Sequence, residues 1–354
     1  MPFFIFVICS LLTFCVAATP LNQFQIIGSH NSYKKMLNPD VKSQLTKLSP
    51  NLVTRIDYGH NSIMSQLNSG VRHLEIDVLN DPTGNLYSNP WANKVAKGTI
   101  ISPLEKQKLA TAGFKVMHIP DIDVQSDCVL FIDCLTTLKN WSNANEQHFP
   151  IVIMLNVKET RSDLVAGPTP LIFTPNDYQL LDKTIKNTLQ ALLFTPDDLR
   201  HVGLTLNQSV VKHGWPNVDA LLGRFIFLFD GNHQQNRDYK HQRPSLKGAS
   251  MFAHYDTNQN EAAFMIVNNP IKHLHKIQQL VAKGYLVRTR ADASLTDDNA
   301  QRIKQFNAAK HSGAHIISTD FIANSPQHAR FNYVVQFDQG RLVRKNPFTK
   351  STLN

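Results

Sequence analysis

At 354 residues the chain is long enough for one large α/β barrel or two ordinary domains, and the lack of a linker, low-complexity tract or fixed-period repeat argues against a division. Its 36 Lys and Arg exceed its 27 Asp and Glu, and the formal charge of +9 suits phosphate substrates or an anionic lipid surface. The basic residues are dispersed, without the runs that mark a nucleic-acid groove, so no nucleic-acid partner is expected.

The first 18 residues, MPFFIFVICSLLTFCVAA, form an apolar run without acid or amide that ends in small residues. That is the outline of a secretory signal peptide. A membrane anchor would need about 20 apolar residues, and Asn22 and Gln23 arrive too soon. The expected layout is therefore an export signal over residues 1–18 and one catalytic barrel over residues 19–354, secreted to a periplasmic or extracellular space. Nothing later in the sequence is apolar enough to span a bilayer. Removal of the signal leaves Cys128 and Cys134, an even pair in an oxidising compartment, for which a disulfide across the short loop is the simple reading.

Eight short apolar runs read as buried strands in chain order. They are Gln25–Gly28, Val71–Val78, Phe114–His118, Ile151–Val157, Arg224–Phe229, Ala262–Val267, Tyr285–Arg288 and His315–Ser318. Helical spacing of three and four fills many of the gaps, over Ile63–Leu67, Leu135–Trp141, Tyr178–Leu193, Ile271–Val281 and Asp297–Ala309. Asn176 and Thr296 stand where caps would stand. Two longer segments, Asn80–Ala112 and His233–Ala249, come after strand ends and are expected to lie over the mouth as lids or docking loops.

Each apolar run carries polar residues at or near its C-terminal end: His30 and Asn31, Glu75 and Asp77, His118, Asn156 and Lys158, Asp230, Asn268, Arg288 and Arg290, and Asp320. A (β/α)8 barrel of the TIM type places its active site at that end of its strands. An open doubly wound sheet would use one switch point, and the glycine-rich phosphate loop it calls for is missing.

Glu75 and Asp77 are two apart in VRHLEIDV, so on a strand they face one way. Two same-facing carboxylates in an apolar run repel unless a cation sits between them. The oxygen donors available suit a hard cation, calcium or magnesium, and calcium's roughly 6–8 coordination positions would leave room for water and a substrate phosphate. His30 and His118 each end an apolar run, and two imidazoles flanking a metal-held phosphodiester suit general base and general acid work near neutral pH. Asp121 or Asp123 could orient the His118 ring, or simply cap a loop. Arg288, Arg290 and Lys158 are candidates for phosphate oxygens, with peripheral salt bridges to Asp292 or Glu159 as the alternative.

With these motifs in view, the sequence resembles the phosphoinositide phospholipases C, and more narrowly their bacterial-type calcium-dependent branch. The resemblance rests on GSHNSYK, on RIDYGHNSIMSQLNSGVRHLEIDV, and on GFKVMHIPDIDVQSDC with DCL. It continues through AAFMIVNNP, GYLVRTRAD, SGAHIISTDF and RKNP. It implies a distorted barrel, a calcium site on Asn31, Glu75, Asp77 and the position of Asn156, and acid/base roles for His30 and His118. The family typically carries a glutamate where Asn156 stands, so only two carboxylates would face the calcium and its binding should be weaker. Glu159 could substitute only if the chain bends after Val157.

The reaction so implied is cleavage of phosphatidylinositol-type lipids at a membrane surface to diacylglycerol and a cyclic or open inositol phosphate, with no obligate protein partner evident. A glycerophosphodiester phosphodiesterase or a sphingomyelinase D-like lipase is the rival enzyme, disfavoured because Asn31 comes after His30 where those enzymes generally carry arginine. A catalytically weak protein that binds anionic lipid is the rival outside enzymes, suggested by Asn156.

Overall fold

The computed structural model describes residues 19–348, so the predicted export signal lies outside the described residues. Among the described residues ten strands are formed: β1 (Phe24–Ser29), β2 (His73–Val78), β3 (Ile151–Val157), β4 (Leu193–Phe194), β5 (Phe225–Phe229), β6 (Met251–Ala253), β7 (Phe264–Ile266), β8 (Leu286–Arg290), β9 (Ile316–Thr319) and β10 (Val343–Lys345). No helix among the described residues is long and apolar enough to cross a membrane.

The strands make two sheets, ordered β10-β1-β9-β8-β7 and β2-β3-β5-β4, with β6 also on β5. Every pairing is parallel except that of β10 with β1. Traced round the molecule, β1, β2, β3, β5, β6, β7, β8 and β9 form the eight-membered circuit of a barrel with two loosened seams. At one seam β6 meets β7 through the single bridge His254 to Phe264. At the other, the Ser32 N–H donates to the Glu75 carbonyl at 2.8 Å just past the end of β1. The expected distorted α/β barrel is thus formed, with its strand ladder interrupted at these seams.

One expected strand is not a barrel strand. Phe114–His118 makes only isolated antiparallel bridges, from Lys115 to Leu79 and to Leu130. No place exists for it between β2 and β3, which pair directly from His73 opposite Val152 to Val78 opposite Val157. Lys115 is also buried against Asp81 at 3.2 Å, an ion pair that anchors the segment to the β2–β3 connection. The eighth place is taken by β6, a run of three residues too short to read against Ser250 and His254.

The helices fall where apolar spacing predicts them, with shifted ends. The helix Pro175–Leu189 is capped by Thr174 instead of Asn176, because Pro175 presets the first turn and the Thr174 hydroxyl accepts the Asp177 N–H. Asp298 caps Asn299–His311 in the same way through Gln301, displacing Thr296. The main core fills the space between strands and helices. A second apolar cluster joins the helices Pro39–Leu48 and Pro50–Ile56 to Leu79, Tyr87, Ile101, Leu109 and Met117. The long segment after β2 is therefore a packed shoulder beside the mouth. The segment after β5 is likewise ordered as the helix His233–Lys240, capped by Asn232 with Gln235.

Candidate active site

The inward face of β2 carries His73, Glu75 and Asp77, while Leu74, Ile76 and Val78 pack outward into the core. Glu75 accepts from Arg288 Nη2 at 2.7 Å and from Asn156 Nδ2 at 3.0 Å, and its Oε1 lies 3.6 Å from His30 Nε2. Burial alone would raise the Glu75 pKa, but His30 and Arg288 outweigh it and hold the carboxyl at about 2. Asp77 accepts from the Tyr33 hydroxyl at 2.8 Å and pairs with Lys158 at 3.0 Å, both through Oδ2. Burial works against the Lys158 charge, yet Asp77 prevails and the ammonium is held above its ordinary value. Below Glu75, burial and the Arg288 charge push the His73 imidazole down to about 3, so it is neutral.

His30 stands just past β1, where its backbone N–H donates to the Thr319 carbonyl of β9 at 2.9 Å. Its Nδ1 lies 2.8 Å from Asp320 Oδ1, and its ring stacks on Tyr58 at 5.7 Å between centroids. Asn31 adopts the left-handed conformation (φ 48°), which asparagine tolerates better than most residues, and donates to the Tyr58 hydroxyl at 2.7 Å. The other face of the network is His118, edge-on to the same Tyr58 ring at 6.1 Å. Its Nδ1 lies 2.8 Å from Asp123 Oδ2, which also pairs with the buried Lys34 at 3.1 Å. Asp123 is thus the carboxylate that meets the ring, while Asp121 turns away to accept from the Trp91 N–H at 3.3 Å.

Arg288 is buried and bonds Asn268 and Ser318 as well as Glu75. Arg290 joins Asp292 at 2.6 Å and Asp320 at 3.0 Å, and the two carboxylates together outweigh burial to raise its pKa further. Both guanidiniums therefore reach the mouth already engaged with carboxylates. Glu159 accepts instead from the Phe173 N–H and from Gln235, both at 2.7 Å, and takes no part in the cluster. The structure thus joins His30, Asn31, Glu75, Asp77, His118, Asn156, Lys158, Arg288 and Arg290 in one network. Sequence reading missed Tyr58, the aromatic plate shared by both imidazoles, and the pairing of His30 with Asp320. Neither carries a local signal, since Tyr58 comes just after a short helix and Asp320 lies 290 positions from its partner. Cys128 and Cys134 form the expected disulfide, with Cα atoms 5.4 Å apart. A cavity of about 530 Å³ beside this network, lined by His233, Arg237, Lys240 and His254 among others, shares none of its residues.

The donor chemistry suits a hard cation. Asp77 Oδ1 is buried without a hydrogen-bond partner among the described residues, and Glu75, Asn31 and Asn156 carry further oxygens of the kind a hard cation takes, although both amides here turn their N–H2 groups to Tyr58 and Glu75. Among the described residues no three His, Cys, Asp or Glu side chains gather around one point, so such an ion would rest on two carboxylates and two amides.

A parallel-stranded barrel with paired carboxylates on β2 and two aspartate-held imidazoles, one just past β1 and one on the connection after β2, has the layout of a barrel enzyme's active site. Residues 19–347 match the family described as phosphoinositide phospholipase C, Ca2+-dependent. The chain belongs to that family, and with it to the enzymes. Among solved structures, a calcium-dependent phosphoinositol-specific phospholipase C from a Gram-negative Pseudomonas superposes with a TM-score of 0.57 at 20% identity, covering 92% of this chain and 95% of that one. Its complex with myoinositol gives 0.57 at 19%, covering 93% and 96%. The calcium-dependent phosphatidylinositol-specific enzyme of Streptomyces antibioticus gives 0.54 at 14%, covering 86% and 95%. No curated protein matches the sequence.

Proposed function

We propose that the chain is an exported phospholipase C that cleaves phosphatidylinositol-type lipids at a membrane surface, with residues 1–18 as the export signal and residues 19–354 as one catalytic unit. The observation that carries this reading is the matched pair of His–Asp contacts. Asp320 and Asp123 each hold an imidazole by Nδ1 at 2.8 Å, which leaves both Nε2 atoms as the working nitrogens.

His30 Nε2 takes the proton of an inositol hydroxyl as that oxygen attacks phosphorus within the substrate. His118 Nε2 gives a proton to the departing diacylglycerol oxygen, so the inositol phosphate first leaves as a cyclic ester. Each aspartate fixes the orientation of its partner's ring through Nδ1. Lys158, Arg288 and Arg290 supply positive charge close to the developing phosphorane. Asn31, Glu75, Asp77 and Asn156 would hold Ca2+, which when bound supplies Lewis-acid stabilisation of phosphate oxygens.

Membrane-surface action is supported by the segment that follows the C-terminal end of β3, where Leu164, Leu171 and Ile172 are exposed, Ile172 at 73%. Phosphorus NMR of mixed micelles tests the assignment. Phosphatidylinositol should be consumed with the appearance of a cyclic inositol phosphate, and phosphatidylcholine should persist. Cleavage of the choline lipid in preference would overturn it.

A further inference from the structure

The residues suited to a divalent ion already hold a cation that belongs to the chain. Lys158 stands two places after Asn156, and its backbone N–H donates to the Val78 carbonyl at 2.8 Å, continuing the β2–β3 ladder. Its ammonium thus reaches Asp77, at 3.0 Å from Oδ2. Asp77 is completely buried, and no other positive charge among the described residues bonds it. Glu75 is served separately by Arg288, and the Asn156 amide that faces Glu75 does so through its N–H2, not its oxygen. Each carboxylate of β2 is therefore paired with a cation of the chain, Asp77 with Lys158 and Glu75 with Arg288, with His30 Nε2 also 3.6 Å from Glu75.

The two resident cations differ in how firmly they are held. Arg288 is buried and fixed by Glu75, Asn268 and Ser318 on three separate segments. Lys158 has 31% of its side chain exposed, on a flexible stem at the mouth of the barrel. A calcium ion at Asp77 and an ammonium 3.0 Å from the same carboxylate cannot share it without strong repulsion in a buried site. The lysine is the group able to leave.

We propose that Lys158 is a resident counter-cation of the metal site: it neutralises Asp77 in the metal-free enzyme, and calcium enters by displacing it. The inference rests on reading Glu75 and Asp77 as metal carboxylates. It gives the enzyme a calcium threshold set by an internal competitor, in addition to the effect of the missing third carboxylate at Asn156.

Titration calorimetry with calcium alone, in the absence of lipid, tests it on the full exported chain. Lys158→Met should bind calcium at least tenfold tighter than the unmodified protein. Lys158→Gln should shift in the same direction, and Lys158→Arg should stay as weak as the parent. Lys158 is partly exposed, so these variants are expected to fold, and their melting temperatures without calcium check this. Equal affinity in the parent, Lys158→Met and Lys158→Gln would overturn the proposal. If all bind tightly, only the role of Lys158 falls; if none binds, the metal reading of Glu75 and Asp77 falls with it. Lipid turnover, monitored separately by phosphorus NMR, shows whether the phospholipase reading stands in either case.

Discussion

At the end of β5, burial pushes the Asp230 carboxyl up to about 6, and the attraction of Arg288 does not offset it because Glu75 and Asp77 add repulsion. An aspartate in the unfolded chain titrates near 3.8. Between these values the folded protein binds a proton that the unfolded chain does not, so stability falls as pH rises through this window. Above pH 6 the cost is roughly 2–3 kcal/mol, from about 1.4 kcal/mol per pKa unit. Asp230→Asn should therefore raise the melting temperature at pH 7.5 and leave it nearly unchanged at pH 4. Equal gains at both values, measured by calorimetry, would contradict this. Glu75 has the opposite sign: its depressed pKa contributes stability that is present above its ordinary value and is lost as pH falls toward about 2.

The seam between β1 and β2 depends on Gly28, in the first motif of the sequence. A Cβ there would come within 2.1 Å of the His73 carbonyl oxygen, which is backbone and cannot step aside. Gly28→Ala should therefore cost about 3 kcal/mol or more, read as a lowered urea midpoint. It should also disturb turnover, because His30 lies only two residues further on. An unchanged midpoint would show that the seam can open freely. β2, β3 and β5 were legible because their apolar runs are long and buried on both faces. β6 was not, because three residues carry no period, and Phe114–His118 was misread because an apolar run around a buried Lys115–Asp81 pair looks like a strand until its neighbours are known.

The molecule as a whole presents its chemistry at one rim, and the groups on that rim were largely readable as polar residues that end apolar runs. What remained hidden was which of them meet. Asp123 could be suspected as the His118 partner because it lies five positions away, whereas Asp320 reaches His30 only through closure of the barrel at β9. The engagement of Arg288 and Arg290 with carboxylates was equally invisible, since it depends on β8 and β9 lying side by side.

The exposed apolar residues of the segment after β3 give a prediction at this scale. Ile172→Asp should weaken binding to vesicles of phosphatidylinositol by roughly tenfold, the order expected for removing one large apolar side chain from a lipid interface. Cleavage of a soluble short-chain substrate should be retained. Sedimentation with vesicles measures the first, and undiminished binding would detach the segment after β3 from membrane contact.

In the proposed reaction His30 and His118 divide the work, one removing a proton from the attacking hydroxyl and the other supplying one to the leaving oxygen. This division is tested by comparing His30→Ala and His118→Ala on phosphatidylinositol and on an inositol phosphate ester of p-nitrophenol, whose leaving group needs no proton. Loss of the acid should cost about 10²–10⁴-fold on the lipid and far less on the nitrophenyl ester, whereas loss of the base should impair both substrates alike. An equal loss on both substrates for His118→Ala would contradict the account.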